Sequence, residues 1–202
     1  MGEVPMRMQW MRFVLALLVA SALTPAFTQT PHIQYPGIDA ALLAQANAGD
    51  AASQIRVGDS YKEGNVVEKD YAQSAAWYRK AGDQGHTDAM IRMAGLYRDG
   101  AEGFPRDMEQ AVAWYRKAAE LWDVDAQATL GVLYSMGQGV PHSDADAYYW
   151  FYLAAKVKGP KQEKYAASRQ MMGARITVDE QQDAEKRANT WLDARPRPGA
   201  TQ

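Results

Sequence analysis

The chain contains no cysteine. Disulfides are therefore excluded, as is a lipid anchor built on a processed cysteine, and stability has to come from packing. Histidine is scarce as well. His32, His86 and His142 are the whole set, and no two stand at an i, i+4 spacing, so no zinc motif is present. There is no basic excess either: 22 Lys and Arg stand against 24 Asp and Glu, for a net charge of −2. Nothing in that balance would hold a phosphate backbone, which excludes nucleic acid as a partner. The apolar run Phe13 to Ala20 near the N-terminus is well short of the ~20 residues a bilayer span requires.

What is present begins with an N-terminal segment of ordered composition. Arg7 and Arg12 precede the apolar run, and small residues follow it. That succession is a secretory signal peptide, residues 1–28, with cleavage expected after Ala26 or Thr28. An uncleaved N-terminal anchor is the alternative. Removal of these residues takes two arginines and one glutamate and leaves a net charge of −3. The short signal and the lack of a retention tail point to a bacterial periplasmic or secreted protein without membrane attachment after cleavage.

The remainder repeats itself. The stretches "SAAWYRKAGDQG" (Ser74 to Gly85) and "AVAWYRKAAELW" (Ala111 to Trp122) nearly coincide, 37 positions apart. Tyr61, Tyr97 and Tyr134 recur at steps of 36 and 37, and Trp77, Trp114 and Trp150 at 37 and 36. Gly58, Ala94 and Gly131 stand three positions before each Tyr, and Gly64, Gly100 and Gly137 three after it. Three copies follow, at about 50–85, 86–122 and 123–159.

Each copy reads as two helices. Ala126, Leu130, Leu133 and Tyr134 form an apolar stripe at helical spacing, closed by Gly137 and Gly139. Asp70, Asp107 and Asp144 are expected to N-cap each second helix, with Gln73 and Gln110 completing capping boxes. Ala111, Trp114, Tyr115 and Ala118 form the apolar face of that helix. The small residue of each first helix is expected to face the Trp of its partner. A lone hairpin cannot bury such a face, whereas stacked hairpins can, so the predicted fold is an all-α, α-solenoid array.

The pattern Ala-x3-Leu-Gly-x2-Tyr-x2-Gly-x-Gly-Val-Pro-x2-Asp, Ala126 to Asp144, resembles the Sel1-like repeat, a relative of the tetratricopeptide repeat. The Trp-Tyr-Arg-Lys-Ala runs at Trp77 and Trp114 strengthen the resemblance, which spans Asp50 to Gly159. Three features depart from it: Val66 and Glu68 in place of Gly and Pro, an added residue before Gly103, and Trp122 where Gly is expected. The flanks read as caps. Asp39 starts and Gly49 stops an N-terminal helix. Pro160 begins the first of two C-terminal helices over 160–194, and Thr177 with Glu180 boxes the second. The repeat domain is thus 38–194, between a flexible linker, 29–37, and a disordered tail, 195–202.

Residues for catalysis are thin. The three histidines read as solvated or capping groups, and there is no Ser-x-x-Lys. Gly137 and Gly139 follow a helix rather than a strand, so they mark a turn and not a phosphate loop. No cofactor is implied. The β-lactam hydrolysis linked to cysteine-rich Sel1-like proteins does not carry over to a chain without cysteine. The tryptophans read as packing, while Tyr149 and Tyr152 are placed where partial exposure or cap packing would follow.

The resemblance implies a non-enzymatic protein–protein interaction module: a periplasmic adaptor, regulator or immunity-type protein. By tetratricopeptide geometry, first helices line a concave groove. Ile55, Ile91 and Ala128 form one column, Asp59, Gly95 and Val132 a second, and Lys62, Arg98 and Ser135 a third, with Met136 beside it. A peptide or helix with acidic groups suits that mixture. Two alternatives stay open: an envelope hydrolase, or a spacer that associates through its caps.

Overall fold

The computed structural model describes residues 35–195. The segment expected to be a signal peptide, most of the expected linker and nearly all of the expected tail lie outside them. Within them are nine α-helices and no β-strand: α1 (Ala40–Asn47), α2 (Ala51–Glu63), α3 (Tyr71–Asp83), α4 (Thr87–Asp99), α5 (Met108–Glu120), α6 (Val124–Met136), α7 (Asp144–Lys156), α8 (Gln162–Gly173) and α9 (Val178–Ala194). From α1 to α8 each helix packs on the next, and α9 returns to pack on α7. The three repeats are the hairpins α2–α3, α4–α5 and α6–α7. The helix α1 caps one end, and α8 and α9 cap the other.

Local chemistry sets the helix ends. Asp39, Asp50, Asp70, Asp107 and Asp123 each accept a hydrogen bond from a backbone N–H in the first turn. The cap of α7 is Ser143 rather than Asp144. The Trp spacing shortens to 36 residues here, so Ser143 occupies the register of Asp70 and Asp107. Asp144 moves into the helix, where its carboxylate meets Arg175 at 3.0 Å and His142 at 3.4 Å. Gln73 and Gln110 supply only their backbone N–H to the caps. The reciprocal capping box is complete at Thr177 and Glu180. Pro160 stands in a turn ahead of α8, which begins at Gln162.

Ring-to-glycine contacts hold the hairpins together. A Cβ on Gly58 would lie 2.6 Å from the Tyr78 ring, and one on Gly131 would lie 2.9 Å from the Phe151 ring. The small residues therefore receive the aromatic that follows the tryptophan, and not the tryptophan as expected. Adjacent positions on a helix diverge by about 100°, so the two rings serve different neighbours. Trp114 reaches back to the preceding repeat, where a Cβ on Gly82 would lie 3.2 Å from its ring. Trp77, Trp114 and Trp150 are all buried. Lys80 and Lys117 extend over the Trp77 and Trp114 rings at 3.7 and 3.9 Å, using the last basic residue of the shared motif to cover the ring.

A second device joins successive helices. Gln54, Gln127, Gln162 and Gln181, all in the first turn or just past it, donate their amides to carbonyls of Ala46, Ala119, Ala155 and Gly173 at the end of the helix before. Those carbonyls have no partner inside their own helix. In the second repeat Met90 takes the corresponding place and packs against Gly82 instead.

The most enclosed helix is α7, covered by α6, α8 and α9. It buries Tyr148, Trp150, Phe151, Tyr152 and Leu153. The extra tyrosines of the third repeat are thus the seat of the C-terminal cap. Tyr148 donates its hydroxyl to Glu185 and Tyr152 to Asn189, while Tyr149 is half-buried beneath the Arg187 guanidinium. Trp122 ends its hairpin at φ 68°, the left-handed region usually left to glycine, and packs against Trp191 of α9 in a tilted ring contact with centroids 4.8 Å apart. The helix stops without glycine because the aromatic contact offsets a backbone cost of about 1–2 kcal/mol.

Gly131→Ala should destabilise the protein by about 1–3 kcal/mol, because the methyl has to displace a buried ring. Gly95 is also inside a first helix but has nothing within 4 Å of a prospective Cβ. Gly95→Ala should raise stability by about 0.5–1 kcal/mol through helix propensity. Urea unfolding of both variants checks the pair, and the reverse order of midpoints would contradict the ring-to-glycine packing.

Candidate protein-binding face

The face of interest is built by the first helices α2, α4 and α6. Each is fixed on its inner side by the hairpin contacts above, which turns a second stripe of side chains outward. In the expected apolar column Ile55 and Ile91 are half-buried and Ala128 is buried. In the second column Val132 is 39% exposed, and Gly95 leaves open space. Met136, at the end of α6, is 62% exposed.

The charged members have distinct surroundings. Asp59 accepts the Tyr78 hydroxyl at 2.6 Å and Arg92 Nη1 at 2.8 Å. Burial, and then this bond, pushes the Tyr78 hydroxyl well above its usual range. Arg98 is clamped by both oxygens of Asp99, at 2.7 and 3.0 Å, and also donates to the Tyr115 hydroxyl. Lys62 is exposed and forms no ion pair among the described residues. The structure therefore closes Asp59 and Arg98 into contacts within the fold and leaves Lys62, Val132 and Met136 outward.

One part of the face was missed from the sequence. The helix α8 lies alongside α6 and continues the row of first helices. Between them is an open trough of about 330 Å³ lined by Asp125, Ala128, Thr129, Val132, Phe151, Lys161, Lys164, Tyr165 and Ser168. Lys161 Nζ meets Asp125 at 2.8 Å, and the Tyr165 hydroxyl donates to the same carboxylate. Lys161 is 36 residues beyond Asp125, one repeat period, and extending that period past Gly159 would have found it.

Among the described residues no cluster of three His, Asp or Glu could hold a metal ion. His86 sits exposed at the N-terminus of α4 without a side-chain cap bond, and His142 lies in an exposed turn. His32 lies outside the described residues. No described helix is long and apolar enough to cross a membrane.

Stacked helical hairpins with an outward first-helix stripe define an α-solenoid of repeats. The Sel1 repeat family matches residues 51–86, 87–121 and 124–156, and the chain belongs to that family. Its repeats form protein-interaction scaffolds, generally without enzymatic activity. Among solved structures the chain is similar to a Sel1 repeat protein from Oxalobacter formigenes, with 28% identity over 61% of this chain and 92% of that one, TM-score 0.53. It is also similar to cysteine rich protein B of Helicobacter pylori, at 16% identity over 61% of this chain and 93% of that one, TM-score 0.46. A protective antigen of uropathogenic Escherichia coli with an SLR fold matches at 22% identity over 75% of this chain and 47% of that one, TM-score 0.43. No curated protein matches.

Asp125 gives the face a pH dependence. Hydrogen bonds from Lys161 and then Tyr165 hold its carboxyl below the ordinary 3.8. A depressed folded pKa contributes stability that is complete above the unfolded value and lost as pH falls through the folded one. Acid unfolding should therefore steepen below about pH 4. Asp125→Asn should flatten that part of the stability curve and leave the neutral-to-alkaline part unchanged in shape. Urea midpoints measured across the acid range would show it, and an unchanged acid slope would contradict the assignment.

Proposed function

We propose that this protein is a non-enzymatic adaptor, regulator or immunity-type module of the bacterial periplasm that holds a segment of another protein against its first-helix face. The observation that carries the reading is the outward stripe itself. Ile55 and Ile91, one repeat period apart, keep part of their apolar surface open to solvent, and Val132 and Met136 of the third repeat are exposed, beside Asp59, Lys62 and Arg98. Apolar side chains partly open to water along a row of first helices are the sort of anchors on which helices and peptides bind, with rim charges acting mainly on specificity and encounter. The succession of basic, apolar and small residues over 1–28 supports export, and the absence of cysteine suits a protein that needs no oxidative folding. With three repeats the face is short, which favours one partner segment over a multi-protein platform.

A photoreactive residue at position 91 should crosslink the partner in envelope extract. Ile55→Asp combined with Ile91→Asp should abolish capture. Because both side chains are half-buried against the core, the variant is compared at a temperature where its helical spectrum matches the parent's, and the milder pair Ile55→Ala with Ile91→Ala should weaken capture in the same direction. Retention of every captured protein by the double variant would remove the groove from the account.

A further inference from the structure

The first-helix face is uneven, and one end differs from the rest. Five large apolar side chains are exposed among the described residues, and three of them, Val132, Met136 and Met171, belong to α6 and α8. The two helices run in the same direction with α7 between them. Asp125 pairs with Lys161, and Val132 and Ser168 share the trough. That register brings Met136 and Met171 to the same end of the two helices. The floor of the trough is Ala128 and the Phe151 ring. Toward α2 and α4, by contrast, Ile55 and Ile91 are half-buried against the core and Asp59 is closed onto Arg92.

The charge is also uneven. Residues 158–175 carry Lys158, Lys161, Lys164, Arg169 and Arg175 against Glu163 alone, in a chain that is acidic as a whole. Three of the five are engaged. Lys161 pairs with Asp125, Arg175 pairs with Asp144, and Arg169 lies over the Tyr152 ring. Lys158 and Lys164 are exposed and make no ion pair among the described residues. Lys164 lines the trough, and Lys158 lines the adjoining depression of about 350 Å³ beyond Tyr165.

We propose that the trough between α6 and α8 seats an acidic amphipathic helix of a partner protein, its apolar side on Val132, Phe151, Met136 and Met171 and its carboxylates toward Lys158 and Lys164. This rests on the reading of the protein as a binding module and assigns that module its seat. Val132 and Met136 are one helical turn apart, about 6 Å, which is the spacing of i and i+4 anchors on a ligand helix. Methionine side chains adapt to the ridges of such a ligand. The two unpaired lysines stand at the opposite end, so the charge pattern also orients the bound helix.

The test uses the full chain and two synthetic helical peptides of about four turns, with leucines at i and i+4 on one face and either glutamates or lysines on the other. The acidic peptide should bind and shift the methyl resonances of Met136 and Met171 while those of Ile55 and Ile91 stay in place. Lys158→Glu with Lys164→Glu should weaken it at least about ten-fold by fluorescence anisotropy, and Ile55→Asp should leave it unchanged. Absence of binding, equal binding of the basic peptide, or shifts confined to Ile55 and Ile91 would each overturn the proposal. The wider reading fails separately, through the crosslink at position 91. Partner capture there without acidic-peptide binding removes the α6–α8 seat alone, and peptide binding here without that crosslink removes the long groove alone.

Discussion

The architecture depends on one steric exchange. A first helix gives up a side chain at Gly58 or Gly131, and an aromatic ring from the second helix of the same hairpin fills the space. Close approach of the two axes follows, and so does nearly complete burial of the ring, an apolar contribution of about 1.5–3 kcal/mol per side chain. The neighbouring tryptophan then points the other way and closes the joint to the preceding hairpin, as Trp114 does over Gly82. Two adjacent aromatic residues thus make both the hairpin and the stack. That explains why Trp-Tyr is written as a unit, and why neither residue is available for ligand chemistry.

The same exchange decides what faces water. With the inner stripe of each first helix committed to its ring, the outer stripe is what a partner can meet. Its polar members are not equivalent. Asp59 links three structural elements through Tyr78 and Arg92, and Arg98 is held by Asp99 and Tyr115. An external partner would have to displace these internal contacts to use either group. Free charge and free apolar surface accumulate instead at the C-terminal end, where α8 adds its lysines and Met171 to Val132 and Met136. The cap is therefore more than a lid on the last repeat: it brings a wall of the trough.

Ends of solenoids pose a burial problem, since the last hairpin has no successor. Here α7 solves it with a denser set of aromatics than its counterparts. Tyr148 and Tyr152 put their rings under α9 and their hydroxyls on Glu185 and Asn189. Burial and the Glu185 bond push the Tyr148 hydroxyl up to about 12. Trp122 adds its tilted ring contact with Trp191 from the preceding hairpin, at a backbone angle glycine would accept more readily. The departures from the repeat pattern at these positions are the cap interface seen one side at a time.

The repeat period, the helical hairpins and most N-caps were legible in the residues themselves. They rest on local rules: aspartate accepting N–H bonds in the first turn, glycine at helix stops, aromatics at a fixed interval. Asp144 was misplaced by one residue because a shortened interval moves the cap to Ser143, and only hydrogen-bond geometry distinguishes the two. Which ring faces which glycine, the glutamine amides that close successive helix ends, and the trough beside α8 came from tertiary structure. Each depends on where two distant segments meet, and sequence spacing alone does not carry the angle between helices that determines it.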